Sequence, residues 1–190
     1  MAADLTLLVA VALIVVLAGF LVVVTYNHVI GLQRRCEKAW ANVDVALKQR
    51  HDQLPNLVAA VRSQLGFEQQ VLVEVTRLRA EYAPDAPIAD QATLSDATSL
   101  AVRTLLGVVE GYPELRSHEN VMSLQQEIER LETLIARRRE LFNEQVYAYH
   151  TAIDTLPGVL LRPAFGWRHI AFFRAEADER ERPAVAATET

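Results

Sequence analysis

Cysteine is nearly absent from this chain: Cys36 is the only one in 190 residues, so no internal disulfide can form. Basic residues are missing from the beginning, since no Lys or Arg precedes Arg34. A cleavable signal peptide wants a basic start, a short apolar core and a small-residue Ala-x-Ala cleavage site. Here the start is Met-Ala-Ala-Asp, and Thr25, Tyr26, Asn27 and His28 follow a long apolar run; retention is therefore expected over cleavage. An excess of positive charge is also lacking, with 19 Lys and Arg against 24 Asp and Glu. Setting the apolar start aside removes Asp4 and no base, so the remainder stays acidic, which argues against a nucleic-acid partner. There is no glycine-rich phosphate loop, no Gly-x-Ser-x-Gly elbow, no Glu-x-x-His or His-Glu-x-x-His pattern and no second cysteine for redox chemistry. No catalytic residue, no metal site and no cofactor is expected.

What is present begins with Leu5 to Val24, which contains no charged residue. A helix of about twenty residues rises roughly 30 Å, the thickness of a bilayer's hydrocarbon core. Residues 1–25 thus read as an N-terminal transmembrane anchor, with Tyr26 at interfacial depth. Arg34, Arg35 and Lys38 all follow the span. Positively charged flanks tend to remain cytoplasmic, so the expectation is a single-pass protein with its N-terminus outside and the remaining chain in the cytoplasm. The same basic cluster suits anionic lipid headgroups, making the lipid bilayer the first expected partner.

Beyond the span, apolar residues recur three and four apart, marking the buried stripe of a helix. Trp40, Val43, Leu47, Leu54, Val58, Val61, Leu65, Leu72, Val75 and Tyr82 keep one register, which His51, Glu68 and Arg79 share. Pro55 interrupts the run without resetting its phase. Proline cannot donate to the carbonyl four residues earlier, here that of His51, so the spacing predicts a kink in a continuous helix.

YAPDAPIAD, residues 82–90, reads as a connector, after which Thr93 or Ser95 can cap a helix running through Leu100, Leu105 and Val109 to Gly111-Tyr112-Pro113. Ser117 opens the longest stripe, from Val121 through Leu124, Ile128, Leu131, Ile135, Phe142, Val146, Tyr149 and Ile153 to Leu156. The reading divides the rest of the chain into a helical bundle over 26–158, an apolar C-terminal strap over 159–175 with Phe165, Trp167, Phe172 and Phe173, and a disordered tail over 176–190. No strand pattern of comparable quality appears. The fold class is all-α, with long helices packed antiparallel in coiled-coil fashion.

These residues resemble the LemA family of bacterial membrane-anchored helical proteins. The likeness begins at Tyr26-Asn27 and runs through Ala39-Trp40, Asp44, Leu47-Lys48, Arg50, Asp52, Leu54-Pro55-Asn56-Leu57-Val58, Glu68 and Arg79. The second half adds Glu110, Tyr112-Pro113, Leu115, Asn120, Ile135-Ala136, Arg139, Phe142-Asn143, Val146, Tyr149, Ile153, Pro157 and Phe165-Gly166. The resemblance implies an antiparallel, up-and-down four-helix bundle behind an N-terminal transmembrane helix in the inner membrane. The fourth helix would come from a division near Pro55 or Ser63, or from the C-terminal segment. Ser63 stands where the family usually has Gly, Phe67 where it often has His, and His150 where Asn is usual; losing that glycine favours a continuous helix across 60–68.

His51, Glu68 and Arg79 on the first stripe, with Arg138 on the long one, are the candidate polar layer. Such charges serve either as an internal ion-pair layer that fixes helix register or as a ligand-binding or catalytic centre. For the aromatic strap the alternatives are packing over the bundle or a surface for membrane or partners. The expected function is a membrane-anchored scaffold or adaptor whose partners are other membrane proteins or further copies of itself. The alternative is an enzyme or small-ligand-binding protein using the polar layer.

Overall fold

The computed structural model describes residues 2–62, 69–112 and 119–174, with the side chains of residues 4–62, 72–112 and 119–174. Among the described residues there are five helices: α1 (Ala2–Arg62), α2 (Gln69–Ala80), α3 (Ile88–Glu110), α4 (Glu119–Asp154) and α5 (Gly158–Phe165). Among the described residues there is no strand. Ser63, Glu68, Ser117 and the expected tail over 176–190 lie outside the described residues.

Two compact units divide the chain, one of Met1–Ala39 with Glu144–Ile170 and the other of Trp40–Asn143 with Ala171–Thr190. In the second unit Leu54, Leu57 and Val61 of α1 share one core with Leu72, Val75 and Leu78 of α2, Val102, Leu105 and Val109 of α3, and Val121 and Ile128 of α4. Four helices thus bury one stripe each, the arrangement of a four-helix bundle. The α3 face is built from small residues, with Ala92, Ser95, Ser99 and Ala101 buried, which lets backbones approach closely.

Pro55 lies inside α1, which continues to Arg62. The stretch 63–68, over which a continuous helix was expected, lies outside the described residues. The Tyr82 hydroxyl donates to Asp44 Oδ1 at 3.3 Å and the Tyr82 ring lies 4.7 Å from that of His51, so α2 must run back along α1. Leu72 and Val75 share the numerical register of the first stripe, but they are buried from the opposite side of a reversal.

Neither Thr93 nor Ser95 caps α3, which starts after Pro87 with no side-chain cap. Gln91 ties the connector instead, donating from Nε2 to the carbonyls of Pro84 at 2.9 Å and Ala86 at 3.0 Å. Leu100 and Leu156, expected on buried stripes, are exposed.

In the first unit Val29, Leu32 and Cys36 of α1 and Val146, Tyr149 and Ile153 of α4 are buried. The Tyr26 ring meets those of Phe165 at 5.0 Å and Trp167 at 6.3 Å. From Leu5 to Val24 the large apolar side chains of α1 are exposed apart from the half-buried Val22, and this helix is long and apolar enough to cross a membrane.

Candidate functional site

Arg50 occupies the inner face of α1, seven residues after Val43 and seven before Leu57, both buried. It is only 4% exposed. A guanidinium taken out of water must be paired and hydrogen-bonded, or its desolvation goes uncompensated. Two neighbouring helices meet that demand. Arg50 Nη1 donates to Glu132 Oε1 of α4 at 2.8 Å and to Ser99 Oγ of α3 at 2.8 Å, while Nη2 donates to Ser95 Oγ at 3.1 Å and to the Ser95 carbonyl at 3.4 Å. Ser99 passes its own proton toward Glu132 Oε2 at 2.5 Å. Ser95 and Ser99 stand one turn apart on α3, so both hydroxyls meet the same guanidinium.

Beside this centre lies a cavity of about 20 Å³ lined by Arg50, His51, Leu54, Arg79, Tyr82 and Gln91, among others. Gln91 is buried and its Oε1 has no hydrogen-bond partner. The volume suits a single water. Burial and the nearby Arg79 charge hold the His51 imidazole below its ordinary pKa, against the pull of Asp52. Burial and the Asp44 carboxylate push the Tyr82 hydroxyl up to about 12.

Of the four residues proposed from sequence as a polar layer, three are described, and they fall at two places. His51 and Arg79 face the small cavity together. Arg138 donates from Nη1 to the Asn42 carbonyl, so it caps a backbone group rather than joining the cavity. Glu68 lies outside the described residues. Sequence reasoning missed Arg50, Ser95, Ser99 and Glu132, and the signal that could have found them is the heptad spacing of Arg50 between Val43 and Leu57.

A second polar contact pins the chain's last described residues within the same unit. Asn143 Oδ1 accepts from the Phe173 amide at 2.9 Å, and Arg139 Nε donates to the Phe173 carbonyl at 2.8 Å. Arg139 also pairs with Asp96 of α3 at 2.7 Å. Phe173 is buried and lies 5.7 Å from Trp40, whose ring meets Phe142 at 5.4 Å. Of the strap's aromatic residues, Phe173 is thus a packing residue.

In the first unit His169 Nε2 lies 2.8 Å from Asp154, and Arg162 reaches Asp154 at 2.6 Å and His169 Nδ1 at 3.3 Å. Since guanidinium only donates, His169 Nδ1 accepts and Nε2 carries the proton toward Asp154. The bond from His169 holds the Asp154 carboxyl below its usual range. Among the described residues no group of three or more His, Cys, Asp or Glu side chains is placed to hold a metal ion.

Compared with protein-family models, residues 39–186 match that of the LemA family. The chain belongs to the LemA family. The matched range takes in Arg50, the two serines and Glu132, as well as the Asn143 and Arg139 clamp on Phe173, so every helix that meets the buried arginine lies inside the LemA match. A comparison with curated proteins finds no match.

Proposed function

We propose that this LemA-family chain is a single-pass protein of the bacterial inner membrane, with its N-terminus outside and its bundle in the cytoplasm, acting as a scaffold or adaptor for membrane-associated partners rather than as an enzyme. The observation that carries the reading is α1. One helix presents an uncharged, exposed apolar run from Leu5 to Val24 and continues to Arg62, where it supplies Leu54, Leu57 and Val61 to the bundle core. An exposed apolar surface of that length is costly in water and favourable in hydrocarbon. Arg34, Arg35 and Lys38 follow the run and favour the cytoplasmic side for what comes after. The buried charges of the bundle support association over catalysis, because Arg50 spends its donors on α3 and α4. Its partners would be other membrane proteins or further copies of the chain, with no nucleic acid.

The test has two arms in cells carrying the full chain. For topology, a cysteine at Thr188→Cys should react with an impermeant reagent only after lysis; labelling in intact cells would reverse the orientation. For partners, a photo-crosslinking residue at the exposed positions Leu100 and Leu141 should give discrete protein adducts. If neither position yields one and the purified chain carries a small molecule, the ligand-binding or enzymatic alternative replaces the scaffold.

A further inference from the structure

Helix α5 and the turn before it present an apolar face to the outside. Leu156 is 73% exposed and Leu160 71%, and Val159, Pro163, Ala164 and Phe165 are exposed as well. Within α5, Val159 and Leu160 stand four and three residues before Pro163, so the three share one side of the helix, and Leu156 in the turn before it adds a further exposed apolar side chain. That side points away from the protein. The single charge on α5 is drawn back from it, since Arg162 donates to Asp154 at 2.6 Å and to the Trp167 carbonyl at 3.3 Å.

The position of α5 says what covers this face. At its C-terminal end Phe165 packs 5.0 Å from Tyr26, and Trp167 stacks on the same ring at 6.3 Å. Tyr26 stands two residues beyond the uncharged run of α1. The exposed rings of Tyr26 and Phe165, with the buried Trp167 packed against both, therefore gather where that run ends, the depth at which aromatic rings favour the boundary between headgroups and acyl chains. Arg34, Arg35, Lys38 and Arg168 of the same unit are exposed and complement anionic headgroups.

We propose that α5 is an interfacial helix, lying in the surface of the bilayer that α1 crosses, with Leu156, Val159 and Leu160 among the upper acyl chains. This rests on the membrane anchoring proposed above. A helix of eight residues has little membrane affinity alone. Tethered through Tyr26 to a spanning helix, it meets the surface as an intramolecular event, and the entropic cost of association is largely removed. Two points of attachment would then fix how the end of α4 stands on the membrane, where one would leave it free to swivel.

The test uses the full chain with Cys36→Ala, carrying an environment-sensitive fluorophore at Leu160→Cys or, separately, at Val16→Cys, in vesicles of phosphatidylcholine and phosphatidylglycerol. Both labelled positions are exposed, so the fluorophore need not disturb packing. A parallel sample keeps Cys36, which is buried and slow to label, in case the alanine unsettles the fold. The Leu160 probe should emit to the blue of its position in water, lose intensity to lipid spin-labelled near the top of the acyl chain, and be shielded from iodide. If the Val16 probe is quenched by lipid while the Leu160 probe emits as in water and yields to iodide, the interfacial helix is refuted and the anchor stands. Should neither probe sense lipid, both readings fall. A blue-shifted Leu160 probe that responds to protein density and not to spin-labelled lipid would mean that another copy covers the face, which also overturns the proposal.

Discussion

Glu132→Ala should destabilise the bundle more than Arg50→Met, although the two changes break the same ion pair. Removing the carboxylate leaves a guanidinium that is 4% exposed with only Ser95 and Ser99 as neutral acceptors. An uncompensated buried charge of this kind costs about 3–5 kcal/mol. Removing the guanidinium leaves Glu132, which is 24% exposed and can recover water, while methionine keeps most of the buried stem volume. That loss is nearer the net worth of charge-assisted hydrogen bonds, about 1.5–3 kcal/mol. For a chain of this size each kcal/mol shifts the midpoint by about 2–4 °C, so Glu132→Ala should lower Tm by roughly 6–20 °C. Melting followed by circular dichroism in detergent micelles reads the difference, and the Arg50→Met, Glu132→Leu pair should recover part of it because the double change leaves no orphaned charge. A Glu132→Ala chain that melts with the wild type, or an Arg50→Met chain that melts well below Glu132→Ala, would show that the guanidinium finds water or another partner and that the centre does not lock the helices.

Three further outcomes follow from the packing and the titrating groups. A Cβ at Gly158 would lie 1.9 Å from the Ala152 carbonyl oxygen, whereas at Gly107, inside α3, nothing lies within 4 Å; Gly158→Ala should cost about 1–3 kcal/mol or more in denaturant unfolding, and Gly107→Ala should gain about 0.5–1 kcal/mol. Because burial and Arg79 depress the His51 pKa, the folded state binds fewer protons than the unfolded one; the associated stability is complete above about pH 6.5 and is lost as pH falls through the folded value. His51→Gln should flatten the fall in Tm below neutrality, leaving the residual slope from His150, which burial and His169 depress in the same direction; an unchanged profile would remove His51 from the linkage. Since α1 continues through Pro55, Pro55→Ala should raise Tm by restoring a helical donor worth up to about 3 kcal/mol, and a lowered Tm would mean that the proline ring itself packs something essential.

The apolar run and the stripe of α4 could be read from sequence because each rests on many residues of one kind. Val121, Ile128, Leu131, Ile135, Phe142, Val146, Tyr149 and Ile153 are all buried as their spacing requires. That α2 runs back along α1 was harder to see. Buried residues on two antiparallel helices can fall into one numerical register by chance, so an unbroken phase does not require an unbroken helix. Leu156 was drawn into the α4 stripe by spacing alone, but α4 ends at Asp154, which releases Leu156 to the exposed face that α5 continues.

The polar centre was missed through a phase error of a single residue, and that error bears on function. On a helix one position is about 100° of rotation. A stripe counted on apolar residues alone passes from Leu47 to Leu54 and places His51 in the gap, whereas the buried face passes through Ala46, Leu47, Arg50, Leu54 and Leu57. Had the buried residue been His51, the core would hold a group able to take and release a proton near neutrality. Arg50 instead fixes the register of α1 against α3 and α4 through its hydrogen bonds to Ser95, Ser99 and Glu132. His51 and Tyr82 face a cavity of about 20 Å³, which has room for a water and not for a substrate, whereas on the other side of the centre Ser99 and Glu132 line an open groove of about 530 Å³ with Asp96 and Arg139. A partner can reach that groove and the outer surface of the helices, where Leu100, Met122 and Leu141 are exposed. This favours recognition on the faces of a bundle that Arg50 holds in register, and it makes Glu132→Ala informative beyond stability: partner adducts should fade with the folded fraction and recover when the charge is removed together with its carboxylate.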